Sequence, residues 1–189
     1  RAVFSGLALQ GQASTGGYTL SFAATSGNIT GTSQLLPLAA GSATQLSVSP
    51  TTFTATNGVI FGTMPVVTVQ DADGNPVLDS THTVTVAISP SGATKNGLAN
   101  STLNSGNGTT SFPNAKLTGT AKDYTLTYST TDASLQEATQ TITLAAGAPA
   151  KLAIETEALG FVNRATFSTQ PVIHIQDASG NRVTTSAAE

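Results

Sequence analysis

Along most of the chain apolar and hydroxyl side chains alternate one for one. Thr83-Val84-Thr85-Val86-Ala87-Ile88 and Tyr124-Thr125-Leu126-Thr127-Tyr128 set β-branched, aromatic and other apolar residues on one face against Thr on the other, the two-residue period of a half-buried antiparallel strand. Further strands are expected over 45–49, 66–70, 98–103, 109–112 and 139–144, separated by clusters of Gly, Pro, Asn and Asp whose backbone preferences favour turns. No stretch carries the 3.6-residue period of an amphipathic helix. About seven short strands with turn signals between them predict an all-β chain of immunoglobulin-like β-sandwich type. Its two inner faces are expected to be built from Val48, Val67, Val69, Val84, Val86, Ile88, Phe112, Leu126, Tyr128 and Ile142.

The pattern repeats with one period. Residues from Gly41 (GSATQLSV…MPVVTVQDADGNPV) return 106 positions later from Gly147 (GAPAKLAI…QPVIHIQDASGNRV), and YTLSFAATSG from Tyr18 returns as YTLTYSTTDA from Tyr124. A fixed period of this size predicts tandem modules: a complete Ig-like repeat over 41–146, the C-terminal half of another over 1–40, and the N-terminal half of a third over 147–189. The junctions at 38–43 and 144–150 are short and rich in small residues, so neighbouring modules are expected to form a semi-rigid rod. The chain begins at Arg1 in mid-repeat, so it is expected to be cut from something longer or to have lost a targeting signal.

Composition narrows the function. Only 9% of residues are charged against 52 Ser and Thr in 189 residues, and the net charge is −3, so no basic stripe for nucleic acid or anionic lipid is present. Cysteine is absent, which removes disulfides, thiolate metal sites and thiol nucleophiles. No apolar run is long enough for a membrane-spanning helix.

The segments Pro65–Val77 and Pro171–Val183, each a strand followed by Asp-Ala-x-Gly-Asn-x-Val, together with Gly17-Tyr18-Thr19-Leu20, resemble bacterial Ig-like (Big) repeats of the invasin and intimin type. The resemblance covers the whole chain in register. It implies an extracellular, non-catalytic stalk or filament module of a bacterial surface protein, with ligand binding assigned to a separate tip domain.

Asp71-Ala72-Asp73-Gly74-Asn75 is the sharpest chemical pattern, echoed by Asp177-Ala178-Ser179-Gly180-Asn181. Oxygen-bearing side chains at alternate positions in Asp71, Asp73 and Asn75 match the start of a calcium loop, but the distal bidentate Glu is missing. The competing reading is a tight turn in which Gly74 and Asn75 take positive φ and Asp71 caps backbone N–H groups. A calcium- or glycan-binding adhesion module is therefore the alternative to a spacer. The two histidines, His82 and His174, lack any triad motif, and His174 is expected on the outer face of its strand. Lys95, Lys116, Lys122 and Lys151 read as solvated lysines rather than partners in a Lys–Asn cross-link. Asn28, Asn100 and Asn107 each open an Asn-x-Ser/Thr sequon, a pattern that arises by chance in so hydroxyl-rich a chain. Thr ladders on single twisted strands follow from β-propensity rather than from an ice-binding surface. No active site is apparent.

The partners expected are adjacent repeats. Either the array continues beyond both ends, or residues 147–189 of one chain pair with residues 1–40 of the next by head-to-tail strand complementation into a filament.

Overall fold

The computed structural model describes residues 1–78, 81–103 and 107–184; the last five residues of the expected third module, 185–189, lie outside them. Every element among the described residues is a strand. In chain order these are β1 (Ser14–Phe22), β2 (Thr32–Leu38), β3 (Gln45–Ser49), β4 (Thr52–Thr56), β5 (Val66–Gln70), β6 (Thr83–Ser89), β7 (Ala93–Asn96), β8 (Ser101–Thr102), β9 (Thr109–Ser111), β10 (Lys116–Gly119), β11 (Asp123–Thr130), β12 (Ala138–Ala145), β13 (Lys151–Thr156) and β14 (Val172–Gln176). No helix of the described residues is long and apolar enough to cross a membrane.

Between Gln45 and Ala145 the strands build a two-sheet sandwich. One sheet has the order β3-β5-β9 and the facing one β4-β12-β11-β6-β8, with β7 and β10 paired separately. Alternation decides which residues go in: β12 is buried at every second position from Ala138 to Leu144, and β11 buries Tyr124, Leu126 and Tyr128. All the expected inner-face residues are buried except Ile88, which is half-buried near the end of β6. Three strands carry too weak an apolar pattern to be expected: β4, β7 and β10. Over 98–103 only Ser101 and Thr102 form a strand, paired with β6, while Leu98 and Leu103 flank it as buried plugs. The chain passes from β3 in one sheet to β4 in the other, where β4 runs parallel to β12 in the register Thr52↔Thr141 to Thr56↔Ala145.

Polar groups inside the sandwich are matched. Tyr128 Oη donates to Gln140 Oε1 at 2.7 Å, and Gln140 Nε2 donates to the Pro50 carbonyl. Tyr124, at the start of β11, sends its hydroxyl back to the Thr120 carbonyl at 2.8 Å, the tyrosine corner of immunoglobulin-like sandwiches.

The ribbons outside the sandwich copy parts of it. In β1–β2, Tyr18 faces Leu36 and Leu20 faces Gln34, as Tyr124 faces Ile142 and Leu126 faces Gln140 in β11–β12. Tyr18 Oη also donates back, to the Gln12 carbonyl at 2.7 Å. In β13–β14, Leu152 faces Ile175 and Ile154 faces Ile173, matching Leu46 with Val69 and Val48 with Val67 in β3–β5. Before Tyr18 the spacing changes. Gly11-Gln12-Ala13 matches Gly119-Thr120-Ala121 at an offset of 108 rather than 106, and the two additional residues lie where the β1–β2 register shifts between Ser14 and Tyr18.

Candidate functional site

The Asp71 and Asp177 turns are the polar centres of the molecule, and each is built the same way. β5 ends at Gln70 and the chain folds back at once: the Asp71 amide donates to the Asn75 carbonyl at 3.0 Å and the Gly74 amide to the Asp71 carbonyl at 3.1 Å. Gly74 takes φ +80°, a conformation that a Cβ would strain; Asn75, contrary to expectation, keeps negative φ. Asp71 Oδ1 accepts from the amides of Asp73 (3.0 Å) and Asn75 (2.9 Å). Its Oδ2 accepts from the Gly41 amide at 2.7 Å, and the Asn75 side-chain amide lies within reach of both oxygens. The second copy repeats these bonds, with Asp177 Oδ1 on the Ser179 and Asn181 amides and Oδ2 on the Gly147 amide (2.8 Å) and Asn181 Nδ2 (2.8 Å).

These contacts bear on the calcium reading of Asp71, Asp73 and Asn75. A cation needs several oxygen lone pairs aimed at one point. Here both Asp71 oxygens face N–H donors, Asn75 Oδ1 accepts from the Ala13 amide at 2.7 Å, and Asp73 Oδ1 accepts from Gln10 Nε2 at 2.9 Å. In this arrangement these oxygens are occupied by N–H donors, as in the turn reading. Nor does any group of three or more His, Asp or Glu among the described residues stand close enough to hold a metal.

What the turns do is reach outward. Asn75 carries a donor and an acceptor on one planar amide and uses both on the backbone of the preceding segment, donating from Nδ2 to the Gly11 carbonyl at 3.0 Å and accepting at Oδ1 from Ala13. Asn181 does the same to Gly119 and Ala121, at 2.8 and 2.7 Å. The Gly-x-Ala strip is thus gripped as a neighbouring strand would grip it, by a side chain. The second grip has an additional member: buried Asn57 donates to Asp177 Oδ2 at 2.7 Å and accepts from the Gly119 amide at 2.9 Å. At the first, Gln12 Nε2 adds a bond to the Asp73 carbonyl.

The electrostatics follow from the donors. The Asn75 side chain first, then the Gly41 amide, lower the Asp71 carboxyl to about 2 despite some desolvation. For Asp177 burial is the largest single influence and opposes ionisation, but the bonds from Asn181, Gly147 and Asn57 together outweigh it and hold the group well below the usual carboxylate range. Both turns therefore carry a buried negative charge dissolved in N–H dipoles.

The remaining candidates are scattered. His82 Nε2 lies 3.4 Å from Asp132 Oδ2, and Asp132 mainly serves a turn with Ser134. His174 is half-buried beside Gln176 and Glu155. Lys122 Nζ donates to the Ser91 carbonyl at 2.7 Å over the Tyr124 ring, and Lys95 Nζ reaches the Leu98 carbonyl. Asn107 closes a local turn on Thr109. Sequence reasoning singled out the turn residues, Asn181 among them, but missed Asn57 and the Gly-x-Ala strips; the recurrence of Gly-x-Ala before each Tyr-Thr-Leu was the available signal.

No protein-family model matches the chain, and no curated protein matches its sequence. Among solved structures it is similar to surface layer protein SbsC, domains 1–6, with 19% identity and a TM-score of 0.39 over 82% of this chain and 18% of that one. It is similar also to domains 4–9 of SbsC, with 20% identity and a TM-score of 0.38 over 82% and 23%, and to InvD of Yersinia pseudotuberculosis, with 16% identity and a TM-score of 0.39 over 88% and 61%. The chain spans about a fifth of the length of the SbsC structures and less than two thirds of InvD.

Proposed function

We propose that the chain is a non-catalytic shaft segment of an extracellular bacterial surface protein, in which residues 1–40, 41–146 and 147–189 belong to successive Ig-like units of a tandem array. The observation that carries this reading is the repeated grip. The same Asp–Asn turn, one period apart, seizes the same Gly-x-Ala backbone of the segment before it. A turn that served only its own sandwich would have no reason to aim its amide at the backbone of the preceding segment. Repetition of a junction, rather than of a cleft, is what an element selected for span and stiffness requires. The hydroxyl-rich, weakly charged surface suits a protein that must stay soluble without a defined ligand.

Negative-stain microscopy and small-angle scattering of a polypeptide carrying several consecutive periods test it. Straight particles that lengthen by a constant step per period are expected. Compact particles, or strings with freely varying angles between units, would refute a shaft.

A further inference from the structure

We infer that Asn107 is a site of self-modification, at which the backbone nitrogen of Gly108 displaces the side-chain ammonia and water then opens the resulting imide to aspartate or isoaspartate. Three Asn-Gly pairs occur in the chain, at Asn57, Asn96 and Asn107. Such pairs suit the reaction because glycine sets no Cβ beside the attacking nitrogen. Their surroundings differ. Asn57 is buried with both ends of its carboxamide engaged, Nδ2 on Asp177 Oδ2 and Oδ1 on the Gly119 amide, and the Gly58 amide donates to the Leu117 carbonyl at 2.8 Å. Its nucleophile and its leaving group are both held. Asn96 is exposed at the end of β7, but its Nδ2 turns back to the Thr94 carbonyl at 3.5 Å, away from Gly97.

Asn107 is exposed and folds forward. Its Oδ1 accepts from the Thr109 amide at 3.1 Å and from Thr109 Oγ1 at 3.0 Å, which draws the carboxamide over the peptide unit that holds the nucleophile. The same two donors face the oxygen on which charge gathers. Attack by Gly108 N on Asn107 Cγ pushes the carbonyl electron pair onto Oδ1, and a pair of donors at these distances is the arrangement that stabilises an oxyanion. The Gly108 proton passes to solvent, the pair on Oδ1 returns, and the Cγ–Nδ2 bond breaks to release ammonia. Water then adds across either C–N bond of the cyclic imide: cleavage at Cγ leaves aspartate, and cleavage at the backbone carbonyl carbon leaves isoaspartate. The consequence falls on β5 and β9. Gly108, at φ +62°, accepts from the Val69 amide at 3.0 Å, and a Cβ on it would stand 2.3 Å from the Val77 carbonyl oxygen. An isoaspartyl link lengthens the backbone just before this crowded residue, so the rungs from Val66↔Ser111 to Thr68↔Thr109 loosen.

Peptide mapping by mass spectrometry of the chain incubated at mildly alkaline pH tests this. The unmodified chain is followed in buffer and in guanidinium chloride, beside Thr109→Val and Thr109→Ser, whose folding is checked by circular dichroism. Asn107 is expected to convert ahead of Asn96 and Asn57, and faster in the folded chain than in denaturant, where the turn is lost. Thr109→Val removes one of the two donors and is expected to slow conversion about tenfold, less than the roughly 100- to 1,000-fold of an enclosed enzyme site because this turn is wet. Thr109→Ser keeps the hydroxyl and is expected to keep the parent rate. Conversion of Asn107 that is no faster folded than denatured, that trails Asn96, or that is unchanged in a folded Thr109→Val overturns the inference; the comparison of folded with denatured parent decides it whether or not the valine variant folds.

Discussion

Replacing Asn181 with alanine removes three hydrogen bonds: to the Gly119 carbonyl at 2.8 Å, from the Ala121 amide at 2.7 Å, and to Asp177 Oδ2 at 2.8 Å. Only the first two cross the junction. At about 1 kcal/mol net each, they contribute roughly 2 kcal/mol to holding the 147–184 segment on the sandwich. Asn57 still bridges Gly119 to Asp177 in the variant, so the junction loosens without separating. Amide hydrogen exchange reads this directly, because the Ala121 N–H has Asn181 Oδ1 as its acceptor. Its exchange is expected to accelerate roughly 30-fold, the equivalent of that free energy at about 1.4 kcal/mol per factor of ten, while amides in β11 and β12 keep their rates. Asn181→Asp is expected to be worse than alanine, since it sets a second carboxylate against Asp177 and has no donor for Gly119. Ala121 exchange within about threefold of the parent in both variants would refute the grip.

Other outcomes follow from the same geometry. Asp71, with its carboxyl at about 2, and Asp177, also depressed, contribute stability that is fully present above the unfolded value near 4 and disappears as pH falls through the folded value; thermal melts are expected to be flat from neutrality to about pH 5 and to decline from about pH 4 towards pH 2. Millimolar calcium is expected to leave the melting temperature unchanged, and a rise of several degrees would favour the cation reading of Asp71, Asp73 and Asn75. Tyr128→Phe strips Gln140 Oε1 of its buried donor and is expected to cost about 1–3 kcal/mol in denaturant unfolding, against about 2–5 kcal/mol for Leu126→Ala in the same core. Gly119→Ala would drive a Cβ into the Gly92 backbone carbonyl, so loss of the β7–β10 pairing and a markedly lowered melting temperature are expected.

Much of the sandwich is legible in the sequence because its strands are half-buried: a Thr on one face and a Val, Leu or Tyr on the other is a pattern that only a two-residue period explains. β4 escapes this logic. Thr52-Phe53-Thr54-Ala55-Thr56 holds one large apolar residue, and its place is set by parallel pairing with β12, about 90 residues further along, which no local pattern encodes. The Asp71 turn was half legible. Asp, Gly and Asn at those spacings suit either a turn or an oxygen cage, and the difference lies in whether donors or a cation face the carboxylate. Those donors include the Gly41 amide, and the Asn75 acceptor is filled by Ala13, both distant in sequence. The grip itself left only a faint trace for the same reason: its receiving partners are backbone groups of Gly11, Ala13, Gly119 and Ala121, whose recurring small side chains advertise only that something comes close.

The parallel register of β4 on β12 sets how the central sandwich meets tension. A pull on its two ends draws the start of the unit and the end of β12 in opposite directions along nearly the same line, so the rungs from Thr52↔Thr141 to Thr56↔Ala145 are loaded in shear and must break together. An antiparallel closure would peel apart one rung at a time. The sandwich is therefore expected to yield abruptly and at high force when stretched end to end, as a link in a chain under load does.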